Sequence, residues 1–382
     1  MKILLLDTNV SSFPIYNILV SKGHDVYVIG IKPDDCLAKH VKNYINCNYS
    51  DISALNKILK EQSFDLVVPG SNDLSYLTAT KADINKFGLD STETTEIINN
   101  KAKFRKFATE HHLSVPQTFS RDQAYSSSIP LIVKPVDAYS GRGTTVIKDI
   151  TSKNVDAAIE ASVNFSMSKN YVIEEYVEGQ LYSHSCFIKD KKIFVDFIVI
   201  EDSTANKFTV DTSHVVYDFP KKMLNAIRDE IHNMANALDL VDGLVHTQFI
   251  KTKDSFRLIE ITRRCPGDLY SLLIEKSTGF KYAEHYAMAF LGEDIIIKKQ
   301  KLSKNNILRH TLSLPETSPF LGVKYNTPLN IDLFIPLSKT GEEVKQSPFG
   351  RIGLVFVKCK SYMEMKKLYK QLLKRGLYDP VK

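Results

Sequence analysis

Residues 243–268 read GLVHTQFIKTKDSFRLIEITRRCPGD. LVHTQFI (244–250) and FRLIEIT (256–262) carry the period-two alternation of half-buried strands, and a charged turn joins them. Alternation puts Gln248 with His246 on one face of the first strand, and Glu260 with Thr262 and Arg264 on one face of the second. Facing oxygen donors from Gln248 and Glu260 suit magnesium, a hard cation that also holds phosphates. Arg264, one step beyond them, suits the charge on a transferring phosphoryl group.

Upstream, YVIEEYVEGQLYSHS (171–185) is an apolar strand running into Glu174-Glu175-Tyr176-Val177. Backbone groups of such a strand can read an adenine edge while the Glu174 carboxylate accepts from its amino group. Taken alone, the segment reads as a strand end with solvated carboxylates. Further upstream, LIVKPVDAYSGRGTTVI (131–147) is a strand ending in Lys134-Pro135, a Ser140-Gly141-Arg142-Gly143 turn and a second strand. Glycines let backbone N–H groups approach phosphate oxygens, and Lys134 and Arg142 supply positive charge. A hairpin turn that binds nothing is the alternative.

The first 70 residues alternate strands with helices: KILLLD (2–7), a helix over 13–22, DVYVIG (25–30), a helix over 54–62 and FDLVVPG (64–70). That order predicts a parallel α/β sheet, with Asp7-Thr8-Asn9 and Gly70-Ser71-Asn72-Asp73 at a crevice beyond the strand ends, or simply forming turns there. No GxGxxG follows the first strand, which weakens a nicotinamide or flavin reading. A helix is expected over 94–112, with Phe104, Phe107 and Ala108 inward and Lys101, Lys103, Arg105 and Lys106 as a solvated face. From Leu131 on, antiparallel hairpins and one amphipathic helix (220–240) predict an α+β domain. The strands LNIDLFIPL (329–337) and RIGLVFVKC (351–359) and a closing helix (361–375) predict a small appended domain.

The composition narrows the function classes. The chain has 382 residues, 43% of them hydrophobic and 25% charged, and no apolar run approaches the roughly 20 residues that cross a bilayer. Its net charge of +6 is too small and dispersed to indicate a nucleic-acid protein, and suits an anionic small molecule equally well. Cysteines 36, 47, 186, 265 and 359 form no CxxC pair, which argues against a disulfide framework and structural zinc. Asp7 interrupts the leading apolar run, so no signal peptide and a cytoplasmic location are expected.

Together these ordered motifs resemble the ATP-grasp superfamily, in particular the half-domains of the carbamoyl-phosphate synthase large chain and related carboxylate-amine ligases, over roughly residues 1–295. The resemblance implies a Rossmann-like pre-ATP-grasp domain (1–93), an ATP-grasp domain (94–298) with a mobile lid (131–177), and a small C-terminal domain (299–382). It implies that Lys101 and Lys134 contact nucleotide phosphates, that Ser140, Gly141, Arg142 and Gly143 cover them, and that Glu174, Glu175, Tyr176 and Val177 form the adenine hinge. Gln248, Glu260 and Thr262 would hold Mg²⁺, while Arg264 and Lys134 would serve catalysis.

Three positions depart from the family pattern. Gln248 replaces a frequent Glu, Thr262 replaces the usual Asn, and Leu181 stands where many members have a ribose-binding Glu. The implied reaction joins a carboxylate to an amine through an acyl phosphate, with ATP and Mg²⁺, small-molecule substrates and no nucleic-acid or membrane partner; a homodimer is the common arrangement. Two other readings stay open: a non-catalytic ATP-binding regulatory protein, favoured by Thr262 and Leu181, and a bicarbonate-using enzyme, motivated by Gln248. Asn72, Asp73, His184 and Arg264 are candidate substrate contacts, although a satisfied strand histidine is the plainer reading of His184. Cys265 has no assignable base, Arg263 reads as a surface ion-pair residue, and Asp211 reads as a turn residue.

Overall fold

Strands β1 (Lys2–Leu6), β2 (Asp25–Gly30), β3 (Tyr44–Asn46) and β4 (Leu66–Pro69) lie parallel in the order β3-β2-β1-β4. Helices α1 (Phe13–Ser21), α2 (Cys36–His40), α3 (Ile52–Glu61) and α4 (Asp73–Lys81) connect and follow them. The run ILLL is buried on both faces for a simple reason. Ile3 and Leu5 pack with Ile15 and Leu19 of α1, while Leu4 and Leu6 pack with Leu55 and Leu59 of α3. The computed structural model describes residues 1–138, 141–205, 207–293 and 301–381.

The single helix expected over 94–112 is two, α5 (Thr92–Asn99) and α6 (Lys101–Glu110). Asn100 breaks the run because its side chain accepts from the Ala102 and Lys103 N–H groups, both at 3.0 Å, and so caps α6. Next come β5 (Thr118–Phe119), α7 (Arg121–Tyr125), β6 (Leu131–Pro135), β7 (Thr145–Ile147), α8 (Ser152–Phe165) and β8 (Tyr171–Glu175). Their sheet has the order β5-β8-β6-β7, and α8 buries Val155 and Ala158 against Leu131, Val133 and Ile173.

A larger antiparallel sheet follows. β9 (Gln180–Lys189) and β10 (Lys192–Asp202) form a hairpin whose two turn residues, Asp190 and Lys191, both have positive φ (50° and 63°), as a two-residue turn between twisted strands requires. β11 (Thr212–Val216), helix α9 (Lys221–Ala237), β12 (Gly243–Lys251), β13 (Phe256–Thr262), α10 (Tyr270–Thr278) and α11 (Tyr282–Phe290) continue the chain. Helix α9 covers one face, packing Ile227, Ile231 and Met234 on Cys186, Val245 and Phe249, each side chain worth roughly 2 kcal/mol on burial. The opposite face packs Phe187 on Tyr282 and shares one apolar cluster with Ile3 and Leu5 of the parallel sheet, so the N-terminal unit is held against the central one.

Past residue 300 come β14 (Asn306–Leu312), β15 (Ser318–Pro319), β16 (Gly322–Tyr325), β17 (Ile331–Pro336), β18 (Glu343–Val344), β19 (Gly353–Cys359), α12 (Tyr362–Leu373) and β20 (Tyr378–Val381). Three of these strands join the large sheet, whose order is β13-β12-β9-β10-β11-β14-β19-β17. The C-terminal segment thus brings its first strand beside the central domain's own strands. The expected boundary at 298 lies outside the described residues. Among the described residues no helix is long and apolar enough to cross a membrane.

Candidate functional site

A cleft of about 540 Å³ is lined by the small sheet (Ile132, Lys134, Glu174) and by the large one (Gln248, Ile250, Glu260). Lys101, Gly141, Glu175, Tyr176, Val177, Thr262 and Arg264 line it too. Residues scattered over more than 160 positions of sequence are therefore brought to one cavity.

Lys134 opposes Val172 and Glu174 opposes Ile132, so the two lie diagonally on one face of the small sheet. Lys134 Nζ donates to Glu174 Oε2 at 2.7 Å. Glu174 is fully buried, and its other oxygen, Oε1, stands 2.8 Å from Nε of Arg105. Burial acts to raise the Glu174 pKa, but Arg105 and Lys134 outweigh it and hold it at about 2. Burial in turn lowers the Lys134 pKa from its ordinary value, against the pull of Glu174.

Two expectations are corrected here. The Glu174 carboxylate is no solvated strand end: it is buried between Lys134 and Arg105. Arg105 is not part of a solvated face: it is 2% exposed, and its Nη2 donates to the Ile259 carbonyl at 2.7 Å. Its neighbour Lys101 does face the cleft, where its Nζ donates to the Ala138 carbonyl at 3.1 Å.

An apolar region made by Ile132, Leu181, Ile250 and Ile259 lies along the strands that flank Glu175, Tyr176 and Val177. Leu181 and Ile250 face each other in register. Such a slot suits a flat heteroaromatic ring. The Glu175 carboxylate accepts from the Gln117 N–H at 3.3 Å and stands 3.4 Å from Arg257 Nε. The Tyr176 N–H is taken by the Pro130 carbonyl at 2.8 Å.

The hairpin register sets Gln248 directly opposite Glu260, and His246 opposite Thr262. Gln248 Nε2 donates to Glu201 Oε2 at 2.7 Å, which leaves the amide oxygen as its donor atom for an ion. Thr262 donates its hydroxyl proton to Asp73 Oδ1 at 2.7 Å and accepts from the Arg264 N–H at 3.3 Å, which leaves one lone pair for an ion. One carboxylate, one amide oxygen and one hydroxyl fit Mg²⁺ in its usual mode, held by few protein oxygens and completed by phosphates and water. They do not make a dedicated cage, and among the described residues no cluster of three His, Cys, Asp or Glu could hold a metal.

Arg264 grips Asp73 bidentately, Nε to Oδ1 and Nη2 to Oδ2, both at 3.0 Å. Burial opposes the charge on each. Even so, Arg264 holds the Asp73 pKa below its ordinary value, and Asp73 raises that of Arg264. Asp73 starts α4 of the N-terminal unit, so this pair ties that unit to the β12–β13 hairpin. Asp73 is not in the cleft lining, and Asn72 caps α4 by accepting from the Ser75 N–H at 2.8 Å.

Other sequence candidates fall elsewhere. His184 is fully buried on the α9 side of the sheet, with Nε2 3.0 Å from Asp196 Oδ2, because strand alternation turns it away from Ser183 and Ser185. It is no substrate contact. Arg263 is not on the surface. It is 3% exposed, pairs with Asp90 at 2.7 Å and donates to the Leu244 and Val241 carbonyls. Burial pushes the Cys265 thiol up to about 12, which removes the thiolate. Asp211 is buried and accepts from the Thr204 and Ala205 N–H groups. His246 sits 2.6 Å from Ser185 Oγ, and burial together with Arg264 lowers its pKa to about 3, so the ring is neutral.

Gly141 (φ +67°) and Gly143 (φ +68°) adopt the left-handed conformation, and a Cβ on Gly141 would meet Phe208 Cβ at 2.2 Å. Arg142 between them is exposed, while Ser140 lies outside the described residues. Gly141→Ala is therefore expected to weaken Mg-ATP binding about tenfold, equivalent to ~1.4 kcal/mol. Titration calorimetry reads this directly, and an unchanged affinity would mean that the turn does not cover the nucleotide.

Sequence reading passed over Glu201, Arg309 and Asp268, all of which line the cleft. A carboxylate at the inward position of FVDFIVIE (194–201), in phase with Phe197 and Val199, was the available signal for Glu201.

Residues 98–267 match the family model described as an ATP-grasp domain. A phosphoribosylamine–glycine ligase of Methanosphaera stadtmanae is 23% identical over 299 residues, spanning 69% of this chain and 67% of the relative. Two solved structures share the fold along the whole chain. An L-amino acid ligase from Bacillus licheniformis superposes with a TM-score of 0.78 at 17% identity, covering 100% of this chain and 98% of its own. A phosphoribosylglycinamide synthetase from Anaerococcus prevotii gives 0.74 at 15%, covering 100% and 99%.

Proposed function

We propose, from the premise that residues 98–267 are an ATP-grasp domain, that the protein is an ATP-dependent ligase joining a carboxylate to an amine. The observation that carries this reading is the convergence of Lys101, Lys134, Gln248, Glu260 and Thr262 on one cleft beside an apolar slot. ATP is the nucleotide, its ring in the slot beside Glu175–Val177 and its phosphates toward Lys101 and Lys134. Bound Mg²⁺ supplies charge neutralisation on the phosphates, held by Glu260 and the Gln248 amide oxygen, with Thr262 as the third donor.

The chemistry follows from charge. A substrate carboxylate attacks the γ-phosphorus of ATP, the bond to the β-phosphate oxygen breaks, and ADP leaves with that electron pair. An amine then attacks the acyl phosphate, the C–N bond forms, and phosphate departs as the nitrogen loses a proton. Lys101 and Lys134 offset the repulsion between carboxylate and triphosphate, and closure of the small sheet over the cleft would exclude water from the acyl phosphate. Arg264 acts on this cleft through its fixed charge and its hold on Asp73. Its fork is already occupied and Nη1 donates to the Cys265 carbonyl at 3.4 Å, so any contact with the transferring phosphoryl group falls to the second N–H of Nη1.

The test is ADP and phosphate release from Mg-ATP with pooled carboxylates and amines. Release should need a particular pool and fall about 100-fold in Glu260→Gln, with the melting temperature retained. ADP release that is unchanged in Glu260→Gln would overturn this assignment.

A further inference from the structure

Beyond the proposed metal oxygens on β12 and β13, the polar face of the large sheet continues across four more strands, β9, β10, β11 and β14. Gln248 on β12 is opposite Ser183 on β9; Glu201 on β10 is opposite Ser213 on β11; and Ser213 is opposite Arg309 on β14. Small residues at 183 and 213 leave room for the long ones to lie over them. Gln248 reaches across Ser183 to Glu201 at 2.7 Å, and Arg309 Nε reaches toward β11 to donate to Ser213 Oγ at 2.9 Å. With two strand spacings between them, the Glu201 and Arg309 backbones are roughly 10 Å apart, and the two side chains close much of that gap.

Both groups are buried, Glu201 at 4% and Arg309 at 3% exposure, and both line the cleft; burial raises the Glu201 pKa from its ordinary value. Neither is neutralised by the fold. Among the described residues Glu201 has no cation at ion-pair distance; its partners are the Gln248 amide and the Ser183 hydroxyl. Arg309 Nη1 donates to the Asp268 carbonyl at 3.0 Å and stands 3.5 Å from Asp268 Oδ2, but Arg351 claims the other oxygen of that carboxylate at 2.6 Å. Two guanidiniums thus share one carboxylate, which leaves a positive excess at this end. A buried carboxylate without a cation and a buried guanidinium with half an anion are costly unless something completes them.

We infer that Glu201 and Arg309 form a subsite for an amino carboxylate, of which an α-amino acid is the smallest kind, with its ammonium on Glu201 and its carboxylate on Arg309. This rests on the ligase reading above for its role in turnover. Glu201 adjoins Gln248 and the metal row, whereas Arg309 is at the far end. The bound molecule therefore presents nitrogen toward the reacting region and holds its own carboxylate away from phosphate. It is the amine partner of the reaction, not the carboxylate that is activated.

Binding tests the subsite without relying on turnover. Each of the twenty common amino acids, with β-alanine, is titrated by calorimetry in the presence of Mg²⁺ and a non-hydrolysable ATP analogue. The matched amine and matched carboxylate of every binder serve as controls. At least one amino carboxylate should bind, with each half-molecule at least about 30-fold weaker, and Arg309→Gln should weaken it by a similar factor. Glu201→Gln, which keeps shape and hydrogen bonding, should cause a comparable loss and keeps the test open if Arg309→Gln fails to fold. Absence of any binder, equal binding of the half-molecules, or full affinity in Glu201→Gln would overturn the subsite. Amino-acid binding without ADP release in any pool would sink the ligase reading and leave the subsite standing. ATP-dependent ligation that ignores the carboxylate of the amine partner would do the reverse.

Discussion

Lys134→Ala is expected to lower kcat/KM for ATP about 10³-fold while the protein stays folded. Lys134 lines the cleft, 12% exposed and fixed by Glu174 at 2.7 Å, where the proposed reaction needs a cation against triphosphate charge. Its removal leaves Glu174 still beside Arg105, so the buried carboxylate keeps one partner and the cost to stability is the smaller effect. Steady-state ADP release, measured together with the thermal midpoint, separates the two. A variant with near wild-type turnover would remove Lys134 from the catalytic machinery, and one that is unfolded would assign it a structural role instead.

Arg105→Ala should have the opposite profile, with a stability loss of about 3 kcal/mol or more at pH 7. Arg105 is almost wholly buried, partners Glu174 and donates to the Ile259 carbonyl, so its loss leaves a cavity, a bare acceptor and a carboxylate short of charge. The pH dependence has a definite sign. The Glu174 pKa is held at about 2, below its ordinary 4.5, so its contribution to stability is fully present above 4.5 and is lost as pH falls toward 2. Without Arg105 the carboxylate takes up its proton at higher pH, and the gap between wild type and variant should narrow from pH 7 to pH 3. Urea unfolding at both values measures this. A loss under about 1 kcal/mol at pH 7, within the range of an exposed ion pair, would show that the buried network contributes little.

The two substitutions act on neighbouring ends of one carboxylate, yet only Lys134 was singled out from sequence as functional. In LIVKPV the lysine ends an apolar strand beside a glycine-rich turn, a local pattern that a linear reading detects. Arg105 sits in KAKFRKFATE among other cations, and nothing within ten residues of it distinguishes a solvated arginine from a buried one. What distinguishes it is Glu174, sixty-nine positions away on another element. The same holds for Glu174 itself, which taken alone reads as a solvated strand end while the packed chain buries it between two cations.

Period-two alternation was sufficient for the hairpin that carries Gln248, Glu260 and Thr262. Side-chain direction in a strand is a local property, and the sequence reading put these residues on the faces that line the cleft. The same alternation turns His184 to the face opposite its flanking serines, but it does not by itself say which of the two faces is the cleft, so His184 stood among the substrate candidates. That depended on which helix covered which side: α9 took one face, and α10 with α11 took part of the other.

By itself the sequence determined the element types, the parallel and antiparallel halves, and the motifs at 131–147, 171–177 and 243–268, because hydrophobic periodicity and turn chemistry are written in contiguous residues. Only the tertiary structure decided the pairings that cross elements: Arg105 with Glu174, Asp73 with Arg264, Arg263 with Asp90, and Glu201 in one polar row with Arg309. A charged side chain carries no local mark of its partner. Its meaning is set by what burial removes from around it, and burial is a property of the packed chain.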